Sequence, residues 1–146
     1  MPTLDEGHAR RRFADARVAR LATAGADGVP HLVPVVFAVD PGSDGGADEI
    51  VFAVDGKPKS GRRLRRLANI DANPAVTLLV DHYDDDWSSL WWVRADGRAR
   101  VDEDPATLTR ARTLLGARYP QHRDDPPAGP AVVVAVTRWS GWTAAG

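Results

Sequence analysis

Residues 50–76 read IVFAVDGKPKSGRRLRRLANIDANPAV, and the order of pieces within them organises the whole chain. A short strand reading (Glu49–Val54, EIVFAV) is followed by six basic side chains with no acidic one among them: Lys57, Lys59, Arg62, Arg63, Arg65 and Arg66. Ser60 can cap a helix whose apolar face is Leu64, Leu67 and Ala68, and Asn73-Pro74 ends that helix before a new strand reading, Ala75–Tyr83. A basic run of this kind ordinarily lies on a solvated helix face. Here Lys59, Arg62 and Arg63 flank the predicted helix N-terminus, where the macrodipole already presents roughly half a positive charge and favours acids. An anion seated on the free backbone N–H groups relieves that conflict, with Ser60 and Gly61 allowing close approach. Six cations exceed what one phosphate monoester requires, so a longer polyanion or nucleic acid matches the charge.

Outward from this segment the elements alternate with turns. Leu4–Ala16 carries Leu4, Ala9, Phe13 and Ala16 among charges and predicts an amphipathic helix across a barrel end. Arg17–Ala24, a Gly25-Ala26-Asp27-Gly28 turn and the β-branched run Pro30–Val39 predict a hairpin; Pro34 inside the second run suits an edge or a bulge, where a cofactor has access. Pro41–Asp48 is loop. Leu90–Val101 follows Ala75–Tyr83 after the acidic loop Asp84-Asp85-Asp86, and Asp104-Pro105 opens a helix through Leu108, Ala111, Leu114 and Leu115 that stops before Pro120. Ala131–Trp142 supplies a last apolar strand. Six strands with short turns and three helices fit an antiparallel barrel with peripheral helices, mainly β, within one domain spanning residues 1–146.

Bulk properties narrow the function. The chain of 146 residues is 43% hydrophobic and 27% charged with a net charge of −1, which is globular and not globally basic. That balance, the acidic runs elsewhere and the lack of a recognised nucleic-acid motif argue against nucleic acid as the partner. No apolar stretch suits a signal peptide or a membrane span, so no membrane association is expected and the expected compartment is the cytoplasm. With no cysteine and four dispersed histidines (His8, His31, His82, His122), neither thiol chemistry nor a metal site is expected. An unperturbed imidazole titrates near neutrality, which makes His31 and His82 candidate proton donors, but both read as structural residues, and no catalytic side chain is singled out. Trp91 and Trp92 are adjacent in a strand, so one faces the core while the other faces outward toward cofactor or substrate space. Trp139 and Trp142 read as packing groups on opposite sides.

Taken together, residues 50–76, the hairpin ARLATAGADGVPHLVPVVFAVD, the pair of strands in DHYDDDWSSLWWVRADGRARV and the closing TRWSGW resemble the pyridoxamine 5'-phosphate oxidase-like family, a six-stranded antiparallel split β-barrel of FMN-binding type. Within it the chain looks like the probable coenzyme F420-dependent oxidoreductases of actinobacteria. The resemblance implies a homodimer with the cofactor at the subunit interface, hydride transfer carried by F420 (alternatively FMN), and an unidentified small organic substrate. It implies a cofactor anion held by Lys57, Lys59, Ser60, Arg62 and Arg63, with the ring along Pro34, Val35, Val36, Ala53 and Val54; Arg65 and Arg66 are left nearer the solvated face. Judged alone, those apolar positions are core; the resemblance is what promotes them. A non-catalytic carrier of flavin, F420 or haem is the alternative from another class.

Overall fold

The computed structural model describes residues 3–42, 47–54 and 64–145. Its elements are α1 (Glu6–Asp15), β1 (Ala19–Ala24), β2 (Pro30–Val35), β3 (Ala38–Asp40), β4 (Glu49–Ala53), α2 (Arg65–Ala72), β5 (Ala75–His82), a single 3₁₀ turn (Trp87–Ser89), β6 (Trp91–Asp102), α3 (Pro105–Arg118), α4 (Pro120–Asp124) and β7 (Ala131–Thr143). All seven strands pair antiparallel in the order β2-β1-β5-β6-β7-β4-β3.

The hairpin of β1 and β2 forms where expected, with Ala19 opposite Val35 and Ala24 opposite Pro30. Its turn uses Gly28 at φ 74° and an Asp27 carboxylate that accepts from the Val29 N–H at 3.0 Å. A left-handed φ is where a residue without Cβ is least strained. Pro34 sits on an edge strand, where its missing N–H breaks no ladder.

The strand count differs from the sequence reading. The run Pro30–Val39 is two strands, and the sheet has seven and is not closed. β2 and β3 occupy opposite edges of the sheet, yet only Val36 and Phe37 separate them. Three residue steps span at most about 11 Å. The two edges therefore meet at this point, and the sheet rolls into a barrel that is split at the crossover.

The rolled sheet encloses the main core, which includes Leu21, Ile50, Phe52, Leu78, Val93 and Val134. Helix α1 closes one end against β6 and β7: Asp5 caps it by accepting from the His8 N–H at 2.8 Å, and Phe13 lies 4.9 Å from the Phe37 ring and 5.2 Å from Trp139. Gly97 marks the register shift between β6 and β7, where a Cβ would come within 2.5 Å of the Ala135 carbonyl oxygen. Only glycine admits so close a backbone approach at the bulge. Helix α3 begins as its sequence dictates, with the Asp104 carboxylate accepting from the Ala106 N–H at 2.9 Å and Pro105 in the first turn.

Candidate functional site

The crossover is fixed from a distant part of the chain. Tyr119, directly after α3, places its hydroxyl 3.2 Å from the Phe37 N–H, from which it accepts. The same hydroxyl lies 2.9 Å from the Phe37 carbonyl oxygen and 3.0 Å from that of Arg17, and its single proton serves one of them at a time. The neighbouring Arg118 donates to the Ala14 and Ala16 carbonyls, with its guanidinium 5.1 Å from the Phe37 ring centroid. Val36 and Phe37 thus leave the sheet ladder with the Phe37 backbone groups answered by one tyrosine.

Beside this crossover is a cavity of about 310 Å³. Pro34, Val35 and Val36 form one wall, and Phe52 with Ala53 of β4 form another. Leu64 and Arg66 at the start of α2, and His122 of α4, also line it, and no acidic residue among the described ones does. Four of the five apolar positions that the resemblance implied for a cofactor ring, Pro34, Val35, Val36 and Ala53, are gathered here. Val54 is not: it is buried in the main core, its N–H donating to the Pro130 carbonyl at 3.1 Å. Of the basic run, Lys57, Lys59, Ser60, Arg62 and Arg63 lie outside the described residues.

Helix α2 starts later than the sequence reading placed it. Its N-cap is Leu64, not Ser60, and no side chain caps it; the Leu64 carbonyl accepts from the Leu67 and Ala68 N–H groups at 3.0 and 3.1 Å. The docked side is Leu64, Leu67 and Ile70, with Ala68 exposed, because the helix turns its i, i+3, i+6 positions onto the barrel. With this later start Arg65 and Arg66 occupy the first turn. They part company there: Arg65 is exposed, 3.9 Å from Asp27, whereas Arg66 lines the cavity, and burial pulls its pKa below the ordinary guanidinium value. A cation losing its water beside an uncapped helix N-terminus is an environment that favours an anion.

His122 was missed in the sequence. It is 8% exposed, packs edge-on to Tyr119 at 6.0 Å, and its ring makes no hydrogen bond among the described residues. The available signal was Pro120, which opens the one-turn helix that carries it inward. By contrast His82 is on the surface, 2.9 Å from Asp84, within a loop that also has Asp84 accepting from the Asp86 N–H at 2.8 Å. Hydrogen bonds from Ser88 hold the Asp86 carboxyl below its ordinary value, as expected of a solvated turn. His31 is half-buried on β2, its Nδ1 without a partner among the described residues.

The tryptophan pair divides as strand alternation requires. Trp91 packs on the main core under Arg12, whose guanidinium is 5.1 Å from its ring. Trp92 faces the other way, into a hollow of about 640 Å³ on the outer face of β1, β5 and β6 together with Leu32, Leu79 and Tyr83, and with Arg20, Arg94 and Asp81 around them. Neither tryptophan lines the crossover cavity. Trp139 is buried in the core.

The match of residues 6–143 to the pyridoxamine 5'-phosphate oxidase family model places the chain in that family. The fold is that of several solved structures. A conserved protein of unknown function from Corynebacterium diphtheriae is 23% identical with a TM-score of 0.69, over 96% of this chain and 94% of the other. A FAD-binding protein from Mesorhizobium loti is 21% identical at the same TM-score, over 96% and 95%. The haem storage protein HutZ from Vibrio cholerae is 14% identical with a TM-score of 0.66, over 96% and 95%. No curated protein matches the chain. Among the described residues, no helix is long and apolar enough to cross a membrane.

Proposed function

We propose that the crossover cavity binds the ring of a flavin-type cofactor, with the deazaflavin F420 as the specific reading and FMN as the alternative, and that the chain is an oxidoreductase acting on a small organic substrate. The observation that carries this is one cavity combining apolar walls (Pro34, Val35, Val36, Ala53), a partly buried Arg66 at a helix start with no side-chain cap, and no acidic side chain among the described lining residues. Apolar walls suit a planar ring, and a desolvated guanidinium suits its anionic extension. At about 310 Å³ the cavity is at the small end of ligand pockets, so a nucleotide-sized cofactor extends beyond it. When bound, such a cofactor carries the hydride. The chain's own part is to hold the ring between β2 and β4, to exclude water with the valines, and to neutralise negative charge through Arg66.

The family membership and the FAD-binding neighbour support a flavin-type ligand, while the haem storage neighbour keeps non-catalytic carriage as a second reading. The outer hollow supports the homodimer: Leu32 and Tyr83 are 65% and 64% exposed, and Arg20, Arg94 and Asp81 supply both signs of charge, as a self-complementary contact needs. Purified protein titrated with F420, FMN and haemin at two salt concentrations tests the reading. F420 or FMN affinity that falls with salt, followed by turnover of a quinone or enoate, is the expected result. Indifference to F420 and FMN overturns it, and tight haemin binding without flavin binding favours carriage.

A further inference from the structure

On the other side of Val36 the crossover walls a second hollow, of about 460 Å³, lined by Arg17, Val18, Val36, Tyr119, Gln121 and His122. Val36 and His122 belong to both hollows, so a ligand in one is a side chain away from a ligand in the other. We propose that this second hollow is the subsite for a planar, conjugated substrate bearing a carboxylate, with Arg17 gripping the carboxylate and His122 standing between substrate and cofactor; the inference rests on the cofactor reading above.

Three observations point to that chemistry. Arg17 is held over the Tyr119 ring, 4.7 Å from its centroid, by one hydrogen bond from its guanidinium to the Arg118 carbonyl at 2.6 Å. A guanidinium has five N–H donors in a planar fork, so this one is positioned while most of its donors have no protein acceptor among the described residues. A fork fixed in this way matches a carboxylate better than a mobile lysine would. Second, the remaining walls are the flat Tyr119 ring and two valines, with Gln121 adding an amide at the rim and no acidic residue among the described lining residues. Third, His122 is 8% exposed, packs edge-on to the Tyr119 ring and lines both hollows, so its imidazole borders a ligand in either one.

The probes are 2-naphthoate and its neutral counterpart 2-naphthamide, titrated into the full-length protein by fluorescence, with FMN and F420 titrated separately into each variant. The expected result is on the order of tenfold tighter binding of naphthoate than of naphthamide, from the charge-assisted contact. Arg17→Gln should erase that preference. Gln121→Glu should erase it as well, because it sets a carboxylate on the rim at an exposed residue without touching the Arg17 anchor. Both variants should retain wild-type cofactor affinity. If Arg17→Gln does not fold, Gln121→Glu decides alone. Equal affinity for the two probes, or a preference that survives in the folded variants, overturns the inference. If neither cofactor binds the wild type while the naphthoate preference is present and lost in the variants, the subsite stands and the cofactor reading falls.

Discussion

The two hollows on either side of the rolled sheet differ in what their charges have for company. The outer one is about twice the size, roughly 640 against 310 Å³, and its arginines share it with Asp81, while Arg94 also lies 3.3 Å from Asp96. Its apolar side chains stand in water, with Leu32 and Tyr83 mostly exposed. The crossover cavity is smaller, its valines are sheltered, and Arg66 and His122 have no acidic neighbour among its described lining residues. Volume alone would select the outer hollow for a ligand. Unanswered charge favours the crossover cavity for the proposed cofactor, and leaves the outer one as the surface for the proposed homodimer.

The comparison breaks most violently if the crossover is unpinned. Phe37→Ala removes a fully buried ring that touches Phe13 and lies under Arg118, and should cost about 3–5 kcal/mol of stability in chemical denaturation. Tyr119→Phe keeps the ring but strands the Phe37 N–H, and should cost about 1–3 kcal/mol. The tryptophan pair sharpens the contrast within a single strand. Trp91→Ala should lower stability by roughly 2 kcal/mol, less than a fully buried ring because Trp91 is only partly covered, whereas Trp92→Ala, at an equally half-buried residue that does not pack on the main core, should cost about 1 kcal/mol in the monomer. Leu32→Asp acts on the outer face alone: if the proposed homodimer forms through this hollow, sedimentation should show the variant dissociating at concentrations where the wild type stays associated, because the contact would bury an unpaired charge. The smallest effect belongs to Arg65→Gln, which gives up an exposed pair at 3.9 Å and should move stability by no more than about 0.5 kcal/mol.

Much of the fold was legible because its signals are local. The Asp27-Gly28 turn, the Asp104-Pro105 start of α3 and the apolar runs of β4, β5, β6 and β7 follow from residues within a few positions of one another. The split of Pro30–Val39 was not legible, since Val36 and Phe37 continue a β-branched and aromatic run. What ends β2 there is the Tyr119 hydroxyl, 82 residues away, taking both backbone groups of Phe37. The site divides in the same way. Pro34, Val35, Val36 and Ala53 came from the family pattern and do meet in one cavity. Arg66's place beside the cavity was not legible because Ser60 offered a better capping side chain than Leu64, whereas α2 starts after Leu64 and docks Leu64, Leu67 and Ile70 on the barrel. His122 carries no sequence mark of its own among polar neighbours, and only the turn at Pro120 brings it inside.

The adjacent arginines supply the most direct test of the central claim. Arg65 and Arg66 have the same charge and neighbouring positions in one helical turn, and only Arg66 lines the cavity. F420 and FMN titrations of Arg65→Gln and Arg66→Gln, at one ionic strength, should show affinity falling on the order of tenfold or more in the Arg66 variant, with the Arg65 variant close to wild type. Equal losses in the two variants would reduce the effect to general charge and contradict a cofactor seated in the crossover cavity, as would no loss in either.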